Sequence, residues 1–321
     1  MSFARQIIAR VRRIPGAVSE WLIGQSALLI MRVLRLVPVD SALNFADRFA
    51  RRFGPLFGRH RVALDNLREA FPEKSEAEIQ QIASDMWGHM ARLAGEYLFL
   101  DQIFDFDPKT KHGERIEVDG EPYFLRIASE SGPHIIFTGH LGNFELLPVA
   151  GMAFGMPVTS MFRPPNNRYI ADYIYRTRTG AMGGLLASRS GAALQLSRIL
   201  DAGGNIGVLV DQKFSNGVPT TFFDRPCETS PLLAKLARNF ECDVYPTRCI
   251  RLPNTRFRLC MEEKLDLPRT ADGRVDIART TQLLNDIVER WIREDPAQWM
   301  WFHKRWKLTG GSRSHRPSLS A

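Results

Sequence analysis

The sequence is short of the features that most directly announce a function. Only four of its 321 residues are cysteine. Cys227, Cys242, Cys249 and Cys260 form no CxxC pair and keep no ligand-like spacing with histidine. That excludes a disulfide-built scaffold and leaves buried thiols of a reducing compartment as the reading, with no metal site expected. P-loop, GxGxxG, HExxH and GxSxG patterns are all absent. No nucleotide cradle, zinc-protease helix or serine nucleophile elbow of the usual kind is therefore encoded. A convincing secretory signal is also lacking, because the apolar stretch Trp21–Val39 comes late and no small-residue cleavage site follows it.

The same stretch is no long uninterrupted apolar run. Crossing a bilayer takes about 20 predominantly apolar residues, and here Gln25, Arg32 and Arg35 intervene. At helical spacing those three fall roughly on one side and apolar residues cover the rest, which suits a helix lying in a membrane interface with its arginine stems reaching phosphates. Arginine flanks the stretch on both sides, so a spanning orientation is not assigned. Acidic residues are scarce in this region. Residues 1–60 hold ten arginines against Glu20, Asp40 and Asp47, within a net charge of +8. Such a block favours phosphate-bearing partners, either nucleic acid or anionic lipid headgroups. Zinc-finger and RNA-recognition signatures are missing, so an anionic membrane surface is expected and nucleic acid is not.

Elsewhere the composition, 44% hydrophobic and 24% charged, is that of a folded globular chain. Residues 1–40 read as a basic, apolar membrane-anchoring segment, 41–309 as one folded domain, and 310–321 (GGSRSHRPSLSA) as a disordered tail. Within the domain, 41–104 shows helical periodicity, with Ser75 and Glu78 as a capping box. From 115 to 309 short apolar runs alternate with helical patterns. Strands are expected at 134–138, 158–162, 206–211, 220–223, 244–250 and 257–261, and helices near 144–154, 167–179, 191–202, 230–240 and 278–294. Alternation of this kind indicates an α/β fold with a mostly parallel central sheet flanked by helices, preceded by a helical N-terminal region. Functional residues of open sheets gather at the carboxyl ends of strands. Both GHLGNFE (139–145) and VLVDQ (208–212) sit at such ends.

A histidine followed five residues later by an acid occurs three times, as His60–Asp65, His112–Glu117 and His140–Glu145. His60 and Asp65 lie within a helical pattern, where five residues turn through about 500° and separate the side chains. His112 stands among charged residues and reads as solvated surface. His140 ends an apolar run and meets the turn Leu141–Gly142–Asn143 before a helix-like segment. A strand–turn–helix corner can fold Glu145 back toward the imidazole, with Asn143 as an N-cap candidate. It would also present free backbone N–H groups to a phosphate or an oxyanion. A His–carboxylate pair of this sort removes a proton from an alcohol as it attacks an ester or thioester. The substrate's hydroxyl would then replace the serine of a triad. A strand-end histidine hydrogen-bonded for packing carries equal weight on these residues alone.

Several segments in order give the chain a resemblance to a known family. They are RVALDNLREAFPEKS (61–75), GHLGNFE (139–145), FRPPNN (162–167), YRTRTG (175–180), VLVDQ (208–212), TTFFDRPCETSP (220–231) and PAQWMWFHKRWK (296–307). With these the chain resembles the bacterial lipid A biosynthesis acyltransferases (lauroyl/myristoyl type) of the wider lysophospholipid acyltransferase group. The resemblance implies a glycerolipid acyltransferase-like fold and a late acyltransferase of lipid A and lipopolysaccharide biosynthesis. It implies no cofactor, a donor chain carried as a thioester on acyl carrier protein, and location at the cytoplasmic face of the bacterial inner membrane. The acceptor would be the hydroxyl of a 3-hydroxyacyl chain on a Kdo–lipid A precursor. By position, His140 would be the general base and Glu145 its orienting partner. Arg178, Arg176, Asp211, Gln212 and Arg163 would support the pair or bind substrate, and His303, Lys304, Arg305 and Lys307 would form a basic aromatic strip. Asp224 and Arg225 depart from the small or apolar residues expected there and would line the acyl tunnel or acceptor site. The alternatives are another glycolipid acceptor, a thioesterase or esterase using the same pair, and a non-catalytic basic binder of membrane or nucleic acid.

Overall fold

The structure, a computed structural model, describes residues 3–306. Five helices come first: α1 (Phe3–Leu34), α2 (Val39–Phe53), α3 (Arg59–Ala70), α4 (Glu76–Glu96) and the single turn α5 (Leu100–Ile103). Strands and helices then alternate through β1 (Ile116–Asp119), α6 (Glu121–Ser129), β2 (His134–Thr138), α7 (Leu146–Ala153), β3 (Val158–Phe162), α8 (Arg168–Ala181), β4 (Leu185–Ala187), α9 (Ala192–Asp201) and β5 (Asn205–Leu209). A hairpin of β6 (Val218–Phe222) and β7 (Arg225–Thr229) follows, then α10 (Leu232–Phe240), β8 (Asp243–Leu252), β9 (Arg256–Met261) and α11 (Ile277–Glu294).

Seven strands form one sheet in the order β1-β9-β8-β2-β5-β3-β4, parallel throughout except for β8 against β9. The middle strand, β2, is covered on both faces, which is why HIIFT reads as a continuous apolar run. Ile135 and Phe137 point into a core shared with Leu67, Met86, Trp291 and Trp299. Ile136 points the other way, toward Phe124, Leu147, Met156 and Tyr245. Local signals start the helices where expected. Ser75 and Glu78 form a complete capping box on α4, Asn167 accepts from the N–H groups of Tyr169 and Ile170 on α8, and Asp276 caps α11.

Four elements lie outside the sequence expectation: β1, β4, β7 and α6. β1 and β4 are short edge strands without a buried run, and β7 (RPCET) carries proline and charge, so periodicity had little to read. The strand expected at 206–211 ends at Leu209, which places Asp211 in the loop beyond it. The expected 220–223 strand belongs to the separate hairpin, whose turn residues Phe223 and Asp224 both have φ +54°. Positive φ at both turn positions matches the twist of a tight hairpin. Asp224 is thus a turn residue, and Arg225 pairs with Glu69 at 2.6 Å and lies over the Trp306 ring. Neither lines the main cavity, contrary to the expectation of a tunnel position.

α1 packs on α8 at Gly24, where an added Cβ would come within 2.9 Å of both Asn167 and Tyr169. Trp21, Leu22, Ile23, Leu29, Ile30 and Val33 are left exposed, and Arg35 pairs with Asp101. Among the described residues no helix is long and apolar enough to cross a membrane. All four cysteines are free and buried, and burial raises the thiols of Cys242 and Cys260 to about 11 and that of Cys249 to about 12.

Candidate active site

The register of two neighbouring strands builds the site. β2 and β5 run parallel with Ile135 opposite Ile206 and Thr138 opposite Leu209. The Val210 N–H still donates to the Thr138 carbonyl at 3.1 Å. Carried two residues further, the same register sets His140 beside Asp211. One carboxylate oxygen of Asp211 lies 2.7 Å from His140 Nδ1, and the other accepts from the His140 backbone N–H at 2.8 Å and from Trp299 Nε1–H at 2.7 Å. Asp211 is buried. Burial alone would raise its pKa, but the imidazole and the donors at both oxygens outweigh that and hold it below the ordinary carboxylate range. An ionised carboxylate only accepts, so the proton of the neutral imidazole sits on Nδ1 and Nε2 keeps its lone pair. Gln212 Nε2–H reaches that lone pair at 3.0 Å from the exposed side.

Glu145 was expected to hold this imidazole, and it is not hydrogen-bonded to it. Its oxygens are taken by Tyr97, whose hydroxyl donates at 3.0 Å, and by the Arg178 guanidinium. Burial raises the Glu145 carboxyl, opposed by Arg178 and Tyr97, and burial likewise raises the Tyr97 hydroxyl. Arg178 is buried too, with its guanidinium over the rings of Tyr97 and Phe162 at 5.2 and 5.5 Å. The reason is where the helix starts. Glu145 is the N-cap of α7 and Asn143 is not; Asn143 Oδ1 instead accepts from the Glu145 N–H at 3.2 Å. Glu145 therefore leaves the turn toward α4 and α8, while the imidazole faces β5.

The turn itself is fixed by a buried polar group that sequence reasoning missed. Asn143 Nδ2–H donates to Glu96, which is fully buried and paired with Arg251. Gln298 accepts from the Arg251 N–H at 2.7 Å and donates to the Arg251 carbonyl at 3.0 Å. Its own carbonyl takes the Gly142 N–H, at 3.3 Å. Gly142 has φ +55°, and a Cβ there would lie 2.2 Å from the Cys249 carbonyl oxygen, so no other residue fits. At this corner the N–H groups of His140, Leu141, Gly142, Glu145, Leu146 and Leu147 have protein acceptors, whereas that of Phe144 has none among the described residues.

His140, Glu145 and Arg178 face one cavity of about 790 Å³. Its inner wall is mostly apolar and runs across the sheet face past Ile136, Leu147, Met156 and Val158 to Phe124 and Met261. Around it stand Arg59, Arg163, Lys213, His303 and Lys304. Exposed Arg163, expected to contact substrate, lines the cavity, whereas exposed Arg176 is not among the lining residues. Of the expected basic strip, His303 and Lys304 line the cavity, burial lowering the His303 pKa. Arg305 is instead buried against Glu228, Thr229 and Asn285, and Lys307 lies outside the described residues. Outside the site, His60 accepts from Trp87 Nε1–H at 3.1 Å and His112 is exposed. Among the described residues no group of three or more His, Cys, Asp or Glu is placed to hold a metal ion.

The site thus joins a histidine, backed by a buried carboxylate at Nδ1 and met by the Gln212 amide at Nε2, to a cavity with apolar and basic lining residues. The family model for bacterial lipid A biosynthesis acyltransferases matches residues 10–308. The chain belongs to that family. No curated protein matches the sequence.

Proposed function

We propose that this chain moves a fatty acyl group, of the lauroyl or myristoyl class, from acyl carrier protein to the hydroxyl of a 3-hydroxyacyl chain on a Kdo–lipid A precursor. The observation that carries the reading is the junction of His140 with the cavity. A pocket of about 790 Å³ includes the imidazole in its lining, together with apolar side chains and basic residues. That size falls within the range of about 300–1,000 Å³ typical of ligand pockets, and the basic groups suit phosphates and an acidic carrier.

In the proposed step the acyl chain lies along Leu147, Met156 and Val158 with its thioester carbonyl at His140. The acceptor hydroxyl displaces the Gln212 amide from Nε2, which takes the hydroxyl proton as the oxygen attacks. Asp211 orients the imidazole and stabilises the imidazolium. Collapse of the tetrahedral intermediate forms the ester C–O bond and breaks the C–S bond, and the proton passes from Nε2 to the departing thiol sulfur. Most of the corner's N–H groups are engaged, and Arg178 is the cation assigned to the developing oxyanion, held in place by Glu145. No cofactor enters this scheme. Exposed apolar residues of α1 rest the enzyme on the anionic cytoplasmic face of the inner membrane, where both substrates meet.

The test supplies the tetraacyl Kdo precursor with acyl carrier protein or coenzyme A thioesters of several lengths and weighs the product. Transfer adds one acyl mass to the precursor, with carrier protein as the better donor. Release of free fatty acid at the same rate without acceptor would instead establish a thioesterase.

A further inference from the structure

α2 has two unlike faces. One is buried on α4 through Leu43 and the Asp47–Arg51 pair, with Arg51 also bonded to Asp85. The other carries Phe45, Phe49 and Phe53 at successive i, i+4 positions, exposed by 71%, 52% and 41%. The chain continues into Leu56 and Phe57, exposed by 76% and 60%. Neighbouring aromatic rings pair along the stripe, Phe45 with Phe49 and Phe49 with Phe53 at 6.1 and 4.6 Å, yet nothing among the described residues covers it. A contiguous apolar patch of this size on a folded protein marks a contact surface.

Charge indicates the partner. Arg48, Arg52 and Arg59 are exposed beside the rings, and no acid occurs between Asp47 and Asp65. Aromatic side chains flanked by arginine suit lipid, whose glycerol region takes the rings and whose phosphates take the guanidinium groups. The stripe is also continuous with the cavity. The ring of Phe57 lies 5.9 Å from Trp87, and Trp87 stacks on Phe302 at 5.4 Å. Arg59 donates to the Phe302 carbonyl at 3.3 Å and lines the cavity together with His303 and Lys304.

We propose that the Phe45–Phe57 face is a membrane-inserting surface, distinct from α1, that sinks into an anionic phospholipid leaflet and brings the cavity mouth to lipid level. The inference rests on the membrane reading above and adds a second, independent contact to it. An acceptor whose acyl chains are in the leaflet would then reach His140 without leaving lipid.

The experiment compares the full chain with the triple variant Phe45→Ser, Phe49→Ser, Phe53→Ser in flotation with phosphatidylglycerol/phosphatidylcholine vesicles and with phosphatidylcholine alone. Loss of three interfacial rings should weaken binding to the anionic vesicles by about tenfold or more, with thermal melting preserved and turnover of detergent-dispersed acceptor within about twofold of the parent. The buried native cysteines allow a second variant, Phe49→Cys, to take an environment-sensitive dye at that position alone. Its emission should rise and shift to the blue on adding anionic vesicles. Binding unchanged by the triple variant, or a dye that stays aqueous on vesicle-bound protein, overturns the proposal even if acyl transfer proceeds. Absence of transfer in detergent, with vesicle binding intact and dependent on the rings, would overturn the acyltransferase reading and leave this surface standing.

Discussion

Replacing Asp211 by asparagine separates the two carboxylates that could serve His140. The amide keeps the shape of the carboxylate but not its acceptor-only character. Three donors converge on Asp211, from His140 N, His140 Nδ1 and Trp299 Nε1. If the asparagine oxygen stays with His140 N and Trp299, its NH₂ faces Nδ1, and the imidazole must accept there. The ring proton then moves to Nε2, and the lone pair that takes the hydroxyl proton is lost. In a serine-protease triad the same exchange lowers kcat by about 10⁴, equivalent to about 5 kcal/mol of transition-state stabilisation. We expect a fall of about 10³–10⁴-fold in kcat for Asp211→Asn, with donor KM within about twofold because Asp211 does not line the cavity. Asp211 has a depressed pKa from an ordinary value of 3.8, so it stays ionised, and contributes its stabilisation, above that value and loses it only as pH falls through the lower folded-state pKa. The defect should therefore be flat from about pH 6 to 9. Steady-state kinetics with a labelled acyl carrier protein thioester measure it. A kcat within tenfold of the parent, with Glu145→Gln showing the 10³–10⁴ loss, would restore Glu145 as the imidazole's partner and refute the assignment.

Glu145 and Arg178 should behave as one unit. Removing either partner alone, as in Glu145→Gln or Arg178→Met, should cost about 3–5 kcal/mol of stability by leaving a buried group uncompensated, and the double variant should cost less than the sum in a denaturation cycle. Gly142→Ala forces a Cβ against the Cys249 carbonyl at positive φ. It should lower stability by at least about 1–3 kcal/mol, read as a fall in Tm and in activity together. His89 is largely buried with Nδ1 lacking a hydrogen-bond partner, and burial lowers its pKa from 6.5 to about 4. Its unfolded state binds the proton first, so stability should decline as pH drops from about 6.5 to about 4, by up to about 3 kcal/mol. His89→Phe should flatten that slope in urea titrations.

The sequence carried much of this arrangement in legible form, and its limits have physical causes. His140 was readable as a strand-end histidine because β2 is buried on both faces and its apolar run stops there. The capping of α4 by Ser75 and Glu78 was readable because it is local. The resemblance put Asp211 among the residues supporting the pair, but its direct bond to the imidazole was not legible, since it comes from the loop after β5, 71 residues on. A signal existed: HIIFTGH (134–140) and NIGVLVD (205–211), aligned as parallel neighbours, place His140 opposite Asp211. Spacing within GHLGNFE points to Glu145 instead, and only the start of α7 shows that this side chain leaves toward Tyr97 and Arg178. Glu96 and Arg251 gave no sequence signal. A lone glutamate at the end of an amphipathic helix looks solvated until the fold closes over it. Arg305 reads as part of an exposed basic strip for the same reason, while Thr229 and Asn285 enclose it.

The most direct test of acyl transfer through His140 is mass analysis of the Kdo–lipid A precursor after incubation with the acyl carrier protein thioester and either the parent enzyme or His140→Ala. The account requires one added acyl mass with the parent, and with the folded variant a rate lower by about 10³-fold or more. Unaltered precursor beside free fatty acid from the parent, or undiminished transfer by the variant, would contradict it.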